Sequence, residues 1–226
     1  MVLAALCSAA AVGFLPVSIS QAAEDSHPLF DGKTLDGWVQ HGGKANYTVE
    51  DGCIVGTTTG DSANSFLCTT RDYTNFVLEL EVNAGTNLNS GIQIRSHCFD
   101  CPTNFVSAGK TNTIPAGRVH GYQIEVDHQP SRRWSGGIYE EARRGWLVNL
   151  ETNAVAQQAY KFGQWNKYRI ECADHWIKSS VNGIPTAQLL DEEGALEGFI
   201  ALQVHGTSDA GLQVRFRNVI IREQSP

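Results

Sequence analysis

Glu125-Val126-Asp127 places two carboxylates at positions i and i+2 of an apolar run. Side chains on a strand alternate between faces, so both acids project from one side of it while Val126 faces the other. A carboxylate held on a rigid strand is suited to general acid–base chemistry. The same alternation recurs in Ile92-Gln93-Ile94-Arg95, Tyr122-Gln123-Ile124-Glu125, Leu202-Gln203-Val204-His205 and Leu212-Gln213-Val214-Arg215. In each, the apolar residues can pack a core while amides and ionisable groups point outward. If these strands share a sheet, its outer face carries Gln93, Arg95, Gln123, Glu125, Asp127, Gln203, His205, Gln213 and Arg215. Such a surface suits a hydroxyl-rich ligand; the competing reading is an ordinary solvated sheet face.

Strands of this kind need a fold built of strands. Runs with strand character occur at 47–49, 53–55, 76–82, 91–95, 122–126, 137–139, 146–148, 168–172, 176–181, 199–204 and 212–221. Val181-Asn182-Gly183-Ile184 is a strong hairpin signal, because Asn-Gly adopts the left-handed turn that joins two strands. No stretch keeps a period of 3.6, so helices are expected to be few and short. Twenty-two glycines supply the turns. The pattern predicts an all-β sandwich or barrel of antiparallel sheets in one domain. The segment from Ser96 to His120 is too long for a tight turn, and it is placed to wall or cover a cleft next to Arg95, Glu125 and Asp127.

The formal charge of -7 and the absence of cation clusters, Arg132-Arg133 and Arg143-Arg144 being isolated pairs, argue against nucleic acid or an anionic membrane as partner. Residues 1–23 read as a secretory signal: an apolar stretch from Val2 to Ile19, then Ser20-Gln21-Ala22-Ala23 as a cleavage region, although no basic residue precedes Lys33. The expected mature domain is 24–226, periplasmic or secreted, with no membrane attachment after cleavage. It keeps Cys53, Cys68, Cys98, Cys101 and Cys172. In an oxidising compartment, Cys53 with Cys68 and Cys98 with Cys101 are candidate disulfides, and Cys172 is a buried thiol. His97, Cys98, Cys101 and His120 offer zinc-type ligands at irregular spacing.

There is no Gly-x-Ser-x-Gly elbow, P-loop or dinucleotide fingerprint. Lichenase- and laminarinase-type glucanases carry Glu-x-Asp-x-x-Glu on such a strand, but here Pro130 takes the place of the last acid. A glycosidase needs two carboxylates flanking the bond, so this strand lacks the partner.

From Leu29-Phe30-Asp31-Gly32-Lys33-Thr34-Leu35-Asp36-Gly37-Trp38 to Phe216-Arg217-Asn218-Val219 the chain resembles the 3-keto-disaccharide hydrolase family. Between these ends the resemblance is carried by Asn89-Ser90-Gly91-Ile92, Gly121 to Asp127, Gly137-Ile138-Tyr139, Trp165-Asn166, Val181-Asn182-Gly183 and Leu202 to Gly206. It implies a concanavalin A-like jelly-roll sandwich and activity on glycosides oxidised at C3. A C3 ketone acidifies the C2 hydrogen, so a base can remove it and expel the C1 substituent, and water can then add. Glu125 or Asp127 is the expected base, His205 the proton donor, and Arg95 the cation beside the enolate. Gln93, Gln123, Tyr139, Gln203 and Trp146 are candidate sugar binders, with Trp146 or Trp134 stacking on a ring. No cofactor is required, although Glu125, Asp127 and His205 could hold a divalent ion. A lectin-like module is the alternative, because the same sandwich serves binding as well as catalysis.

Overall fold

The computed structural model describes residues 26–60 and 63–224; the signal-peptide expectation for 1–23 lies outside them. Two large antiparallel sheets face each other across the core, as the alternating pattern implies. One sheet runs, in spatial order, β15 (Ile184–Leu190), β14 (Trp176–Val181), β13 (Asn166–Ala173), β6 (Phe76–Ala84), β17 (Ala210–Glu223), β4 (Cys53–Thr59) and β3 (Asn46–Glu50), with β1 (Ser26–Pro28) also paired to β17. The other runs β12 (Gly145–Val148), β11 (Ile138–Glu141), β10 (His120–Val126), β7 (Ser90–His97), β16 (Phe199–Val204), β5 (Ser65–Thr69) and β2 (Trp38–Gly42). A small hairpin, β8 (Thr103–Ser107) with β9 (Lys110–Ile114), forms within the long 96–120 segment. The single helix among the described residues, α1 (Ala154–Gln157), is one turn.

Leu78, Leu80, Val82, Tyr168, Ile170, Val214 and Phe216 of the first sheet meet Ile92, Ile94, Tyr122, Ile124, Leu202 and Val204 of the second in one buried cluster. Burying these side chains from water drives the sandwich together. Asn182 and Gly183, at φ 50° and 79°, turn β14 into β15 where Asn-Gly predicts it.

Three of the four repeated Gln-containing segments, β7, β10 and β16, lie in the second sheet; the fourth is β17 of the first. Alternation specifies which residues face outward but not which sheet a strand joins.

Arg95 departs from the face expected of it. It has a φ of 45°, and the pairing of β7 slips register against both neighbours at this level. Gly121 and Gly198 flank the slip: a Cβ at Gly121 would lie 2.6 Å from Ser96 Oγ, and one at Gly198 2.6 Å from the Arg95 carbonyl carbon. This bulge turns the Arg95 side chain off the outer face and into the interior, where it is 1% exposed. Its guanidinium donates to the carbonyls of Thr74 (2.8 Å) and Asp174 (2.7 Å) and to Asn75 Oδ1 (3.1 Å) at one end of the opposite sheet. It ties the two layers together.

The thiols also depart from expectation. Cys53 is on β4 and Cys68 on β5, strands of different sheets, so a bridge between neighbouring strands is ruled out for them; all five described cysteines are free. Cys98 packs on a small cluster formed by Phe66, Cys68, Val119, Phe199 and Ala201, whereas Cys101 is exposed.

Candidate active site

The outer face of the second sheet holds a cavity of about 480 Å³, in the range of small-ligand sites. Gln123 and Glu125 of β10 and Gln203 of β16 line it, with Tyr139 and Glu141 of β11 and Trp146 of β12. Strand-end residues Asn64, Asn89, Arg118, His128, Gln129, Arg132 and His205 complete it.

Glu125 is 4% exposed. Its Oε1 accepts from Asn89 Nδ2 (2.6 Å) and Arg132 Nη2 (3.0 Å), and its Oε2 from Gln123 Nε2 (3.0 Å). Behind Gln123 a chain of hydrogen bonds crosses to β7. Gln93 Nε2 donates to Gln123 Oε1 (2.8 Å), and Ser96 Oγ donates to Gln93 Oε1 (2.9 Å). Gly91 leaves room for this chain, because a Cβ there would lie 2.3 Å from Gln123 Cδ. Gln93 therefore holds Gln123 in place and does not line the cavity.

Burial pushes the Glu125 carboxyl up to about 7; Asn89, Arg132 and Gln123 oppose the rise, and the Asp127 charge adds to it. A carboxyl whose folded pKa exceeds its unfolded value contributes stability that is complete below pH 4.5 and lost as pH rises through about 7. Glu125→Gln removes that loss. The variant is expected to match the wild type near pH 4.5 and to exceed its stability above pH 7 by on the order of 3 kcal/mol. Denaturant melts of both proteins at the two pH values test this; equal stability differences at both would contradict it.

Asp127, just past the end of β10, does not line the cavity. Burial pulls its pKa upward, but Arg132 and the N–H groups of Trp134 and Gln129 outweigh this and hold the carboxyl below its ordinary value. Arg132 Nε and Nη2 grip both its oxygens at 2.9 Å. Asp127 is thus the anchor of Arg132, and the geometry separates it from Glu125, where the sequence leaves the two equivalent. Arg132 also lies over the rings of Trp134 (5.3 Å) and Trp146 (5.5 Å). Trp146 packs edge-on against Trp134 and Tyr139, which leaves an aromatic wall beside Glu125.

His205 is exposed at the cavity, its Nδ1 2.8 Å from the Gly206 carbonyl. His128 was not singled out from the sequence. Its Nδ1 is buried 3.9 Å from Asp127 Oδ1 and makes no hydrogen bond, and burial holds its pKa below the ordinary value against the pull of Asp127. Gln203 is fully buried, and neither its Oε1 nor its Nε2 has a partner. Both ends of this amide thus keep their hydrogen-bonding capacity beside the cavity that Gln203 lines.

Glu141 is a second buried carboxyl on the cavity, also absent from the sequence-derived set. Burial raises its pKa against the opposing charges of Arg118 and His205. Its Oε1 accepts from Arg118 Nη2 (2.5 Å) and Asn64 Nδ2 (3.4 Å). Asn64 immediately precedes β5, four strands from β11; flat strands would separate them by about 19 Å. The contact therefore requires the face to be strongly cupped.

Among the described residues no three His, Cys, Asp or Glu side chains converge as a metal site, either at Glu125, Asp127 and His205 or at His97, Cys98, Cys101 and His120.

The site is thus a polar, aromatic-edged cavity on the outer face of one sheet of a cupped β-sandwich. A family model described as the 3-keto-alpha-glucoside-1,2-lyase-like domain matches residues 25–222, and the chain belongs to that family. A relative named 3-keto-disaccharide hydrolase, from Bacteroides thetaiotaomicron, is 28% identical over 236 aligned positions, covering 86% of this chain and 77% of its own. A Bacillus subtilis protein of unknown function with a galectin-like fold superposes with a TM-score of 0.60 at 11% identity, over 88% of this chain and 94% of that one. Carbohydrate binding module CBM66 of Bacillus subtilis gives 0.55 at 16% identity, over 83% and 96%. At such identities these two structures speak to the fold alone, which is the sandwich expected from the sequence.

Proposed function

We propose that the protein is an exported enzyme that cleaves 3-keto-glycosides by elimination and hydration, with Glu125 as the general base. The observation that carries this reading is the Glu125 carboxyl, buried on a polar cavity and raised to about 7, which suits proton abstraction at neutral pH. Glu125 takes the C2 proton, and the electron pair left behind delocalises into the C3 carbonyl as an enolate. The enolate expels the C1 substituent, whose oxygen takes a proton from His205, and a C1=C2 double bond remains. Water adds at C1 and gives up a proton that restores His205, while C2 regains its proton from Glu125, giving the free 3-keto sugar and the released alcohol. Arg132 replaces Arg95 as the cation available to the enolate, and the unpaired Gln203 amide supplies a further donor.

A glucanase mechanism is less well supported. Glu125 is bonded opposite Gly137 and Glu141 pairs with Gly121, an offset of four residues, or about 13 Å of strand. Paired glycosidase carboxyls stand about 5–9.5 Å apart. The binding-module reading is favoured by the fold of CBM66 but gives no use for a carboxyl held near neutrality.

The test is incubation with a 3-keto-glucoside and its unoxidised parent, with products read by mass spectrometry. Cleavage confined to the keto compound, slowed by deuterium at C2, is the expected result. Equal cleavage of both with no isotope effect would replace elimination with ordinary glycoside hydrolysis.

A further inference from the structure

The cavity carries two polar clusters rather than one. The first is Glu125 with Asn89 and Arg132. The second is Glu141 with Arg118 and Asn64. Tyr139 lies between them, its pKa raised by burial and then by the charges of both Glu141 and Glu125. The proposed reaction uses only the first cluster. The second has capacity to spare: Arg118 and Asn64 both bond to Glu141 Oε1, so Oε2 keeps its acceptor sites. Gln203, fully buried and without partners, lines the same cavity and points independently to a polar ligand there. An ion pair of this kind offers a fixed acceptor and fixed donors, which matches neighbouring ring hydroxyls. At about 480 Å³ the cavity has room for more than one pyranose ring.

We propose that Asn64, Arg118 and Glu141 form a second saccharide subsite that grips the ring on the leaving side of the scissile bond. This rests on the reading of the first cluster as the site of the oxidised ring. His205 fixes the direction: its backbone N–H donates to the Asn89 carbonyl (3.4 Å) and the next N–H, of Gly206, donates to Asn64 Oδ1 (2.9 Å), so the group assigned to the leaving oxygen stands between the two clusters. The leaving ring then lies over Glu141, and the oxidised ring lies beside Glu125 and Trp146. A sugar aglycone meets hydroxyl-binding groups at this subsite; a methyl aglycone leaves them unused.

The experiment compares Glu141→Gln and Arg118→Met with wild type on 3-keto-maltose and 3-keto-cellobiose in parallel, against the methyl 3-keto-glucosides. The loss in kcat/KM should be about 10–100-fold larger on the disaccharide than on the methyl compound, and should appear mainly in KM. Asn64→Ala, which leaves the ion pair in place, should give a smaller differential of the same sign. Equal losses on both substrates, or no loss on either, would overturn the subsite. Titration with unoxidised maltose and cellobiose separates this from failure of the proposed chemistry. If nothing is turned over but disaccharide binding still weakens in the variants, the subsite stands and the catalytic reading falls. Unchanged binding in both variants removes the subsite.

Discussion

Glu125→Gln is expected to lower turnover of a 3-keto-glucoside by about 10²–10⁴-fold, the usual worth of a positioned general base. The amide cannot accept the C2 proton, yet the surroundings can absorb it without collapse. In the wild type every donor around the carboxylate points toward it: Asn89 and Arg132 to Oε1, Gln123 to Oε2. An amide at position 125 keeps its oxygen toward Asn89 and Arg132 and turns its NH₂ toward Gln123. Gln123 then presents its oxygen, Gln93 reverses in turn, and Ser96 Oγ can accept where it had donated, because a hydroxyl serves either role. The chain inverts as a unit, so the loss measures the base and not a broken fold. Steady-state rates with C2-protonated and C2-deuterated substrate check this. In the wild type kcat/KM should rise with pH through about 7 as Glu125 ionises. The variant should lose that limb together with its rate; a variant that kept both would remove Glu125 from the chemistry.

Much of this site is legible in the chain because Gln123, Glu125 and Gln203 obey strict alternation within unbroken strands. Glu141 was equally accessible: it follows Tyr139 by two on β11, so alternation puts it on the face of that candidate binder. Asn89 and Arg132 are different. They belong to strand-end segments, and only folding brings their side chains onto Glu125, so no local period marks them. Arg95 fails for a nonlocal reason. Its bulge depends on Gly121 and Gly198, which lie on the two sides of β7 but 26 and 103 residues away along the chain. An alternation rule reads one strand at a time and cannot register that its neighbours lack side chains. The same limit separates Gln213 and Arg215 from the site, since their strand pairs in the other sheet.

The exchange of Arg95 for Arg132 leads to the second large effect. Arg132→Met should lower kcat by about 10²–10³-fold, as loss of a charge donor to a developing oxyanion does, with a smaller change in KM. Enolate charge appears only on the way to the transition state, so binding of the neutral ketone depends on it less. The substitution also removes a cation that favours ionised Glu125, so the acid limb of the pH profile should move above its wild-type position near 7. Arg132→Lys keeps the charge but not the fork that spans Glu125 and Asp127, and its rate should fall between the two. Arg95→Met is the contrasting case. Its guanidinium serves the carbonyls of Thr74 and Asp174 behind the sheet, so the substitution should lower the melting temperature while folded enzyme keeps its pH profile. If Arg95→Met moved the acid limb and Arg132→Met did not, the cation would have to act from the interior side of β7, and the enolate could not lie in this cavity.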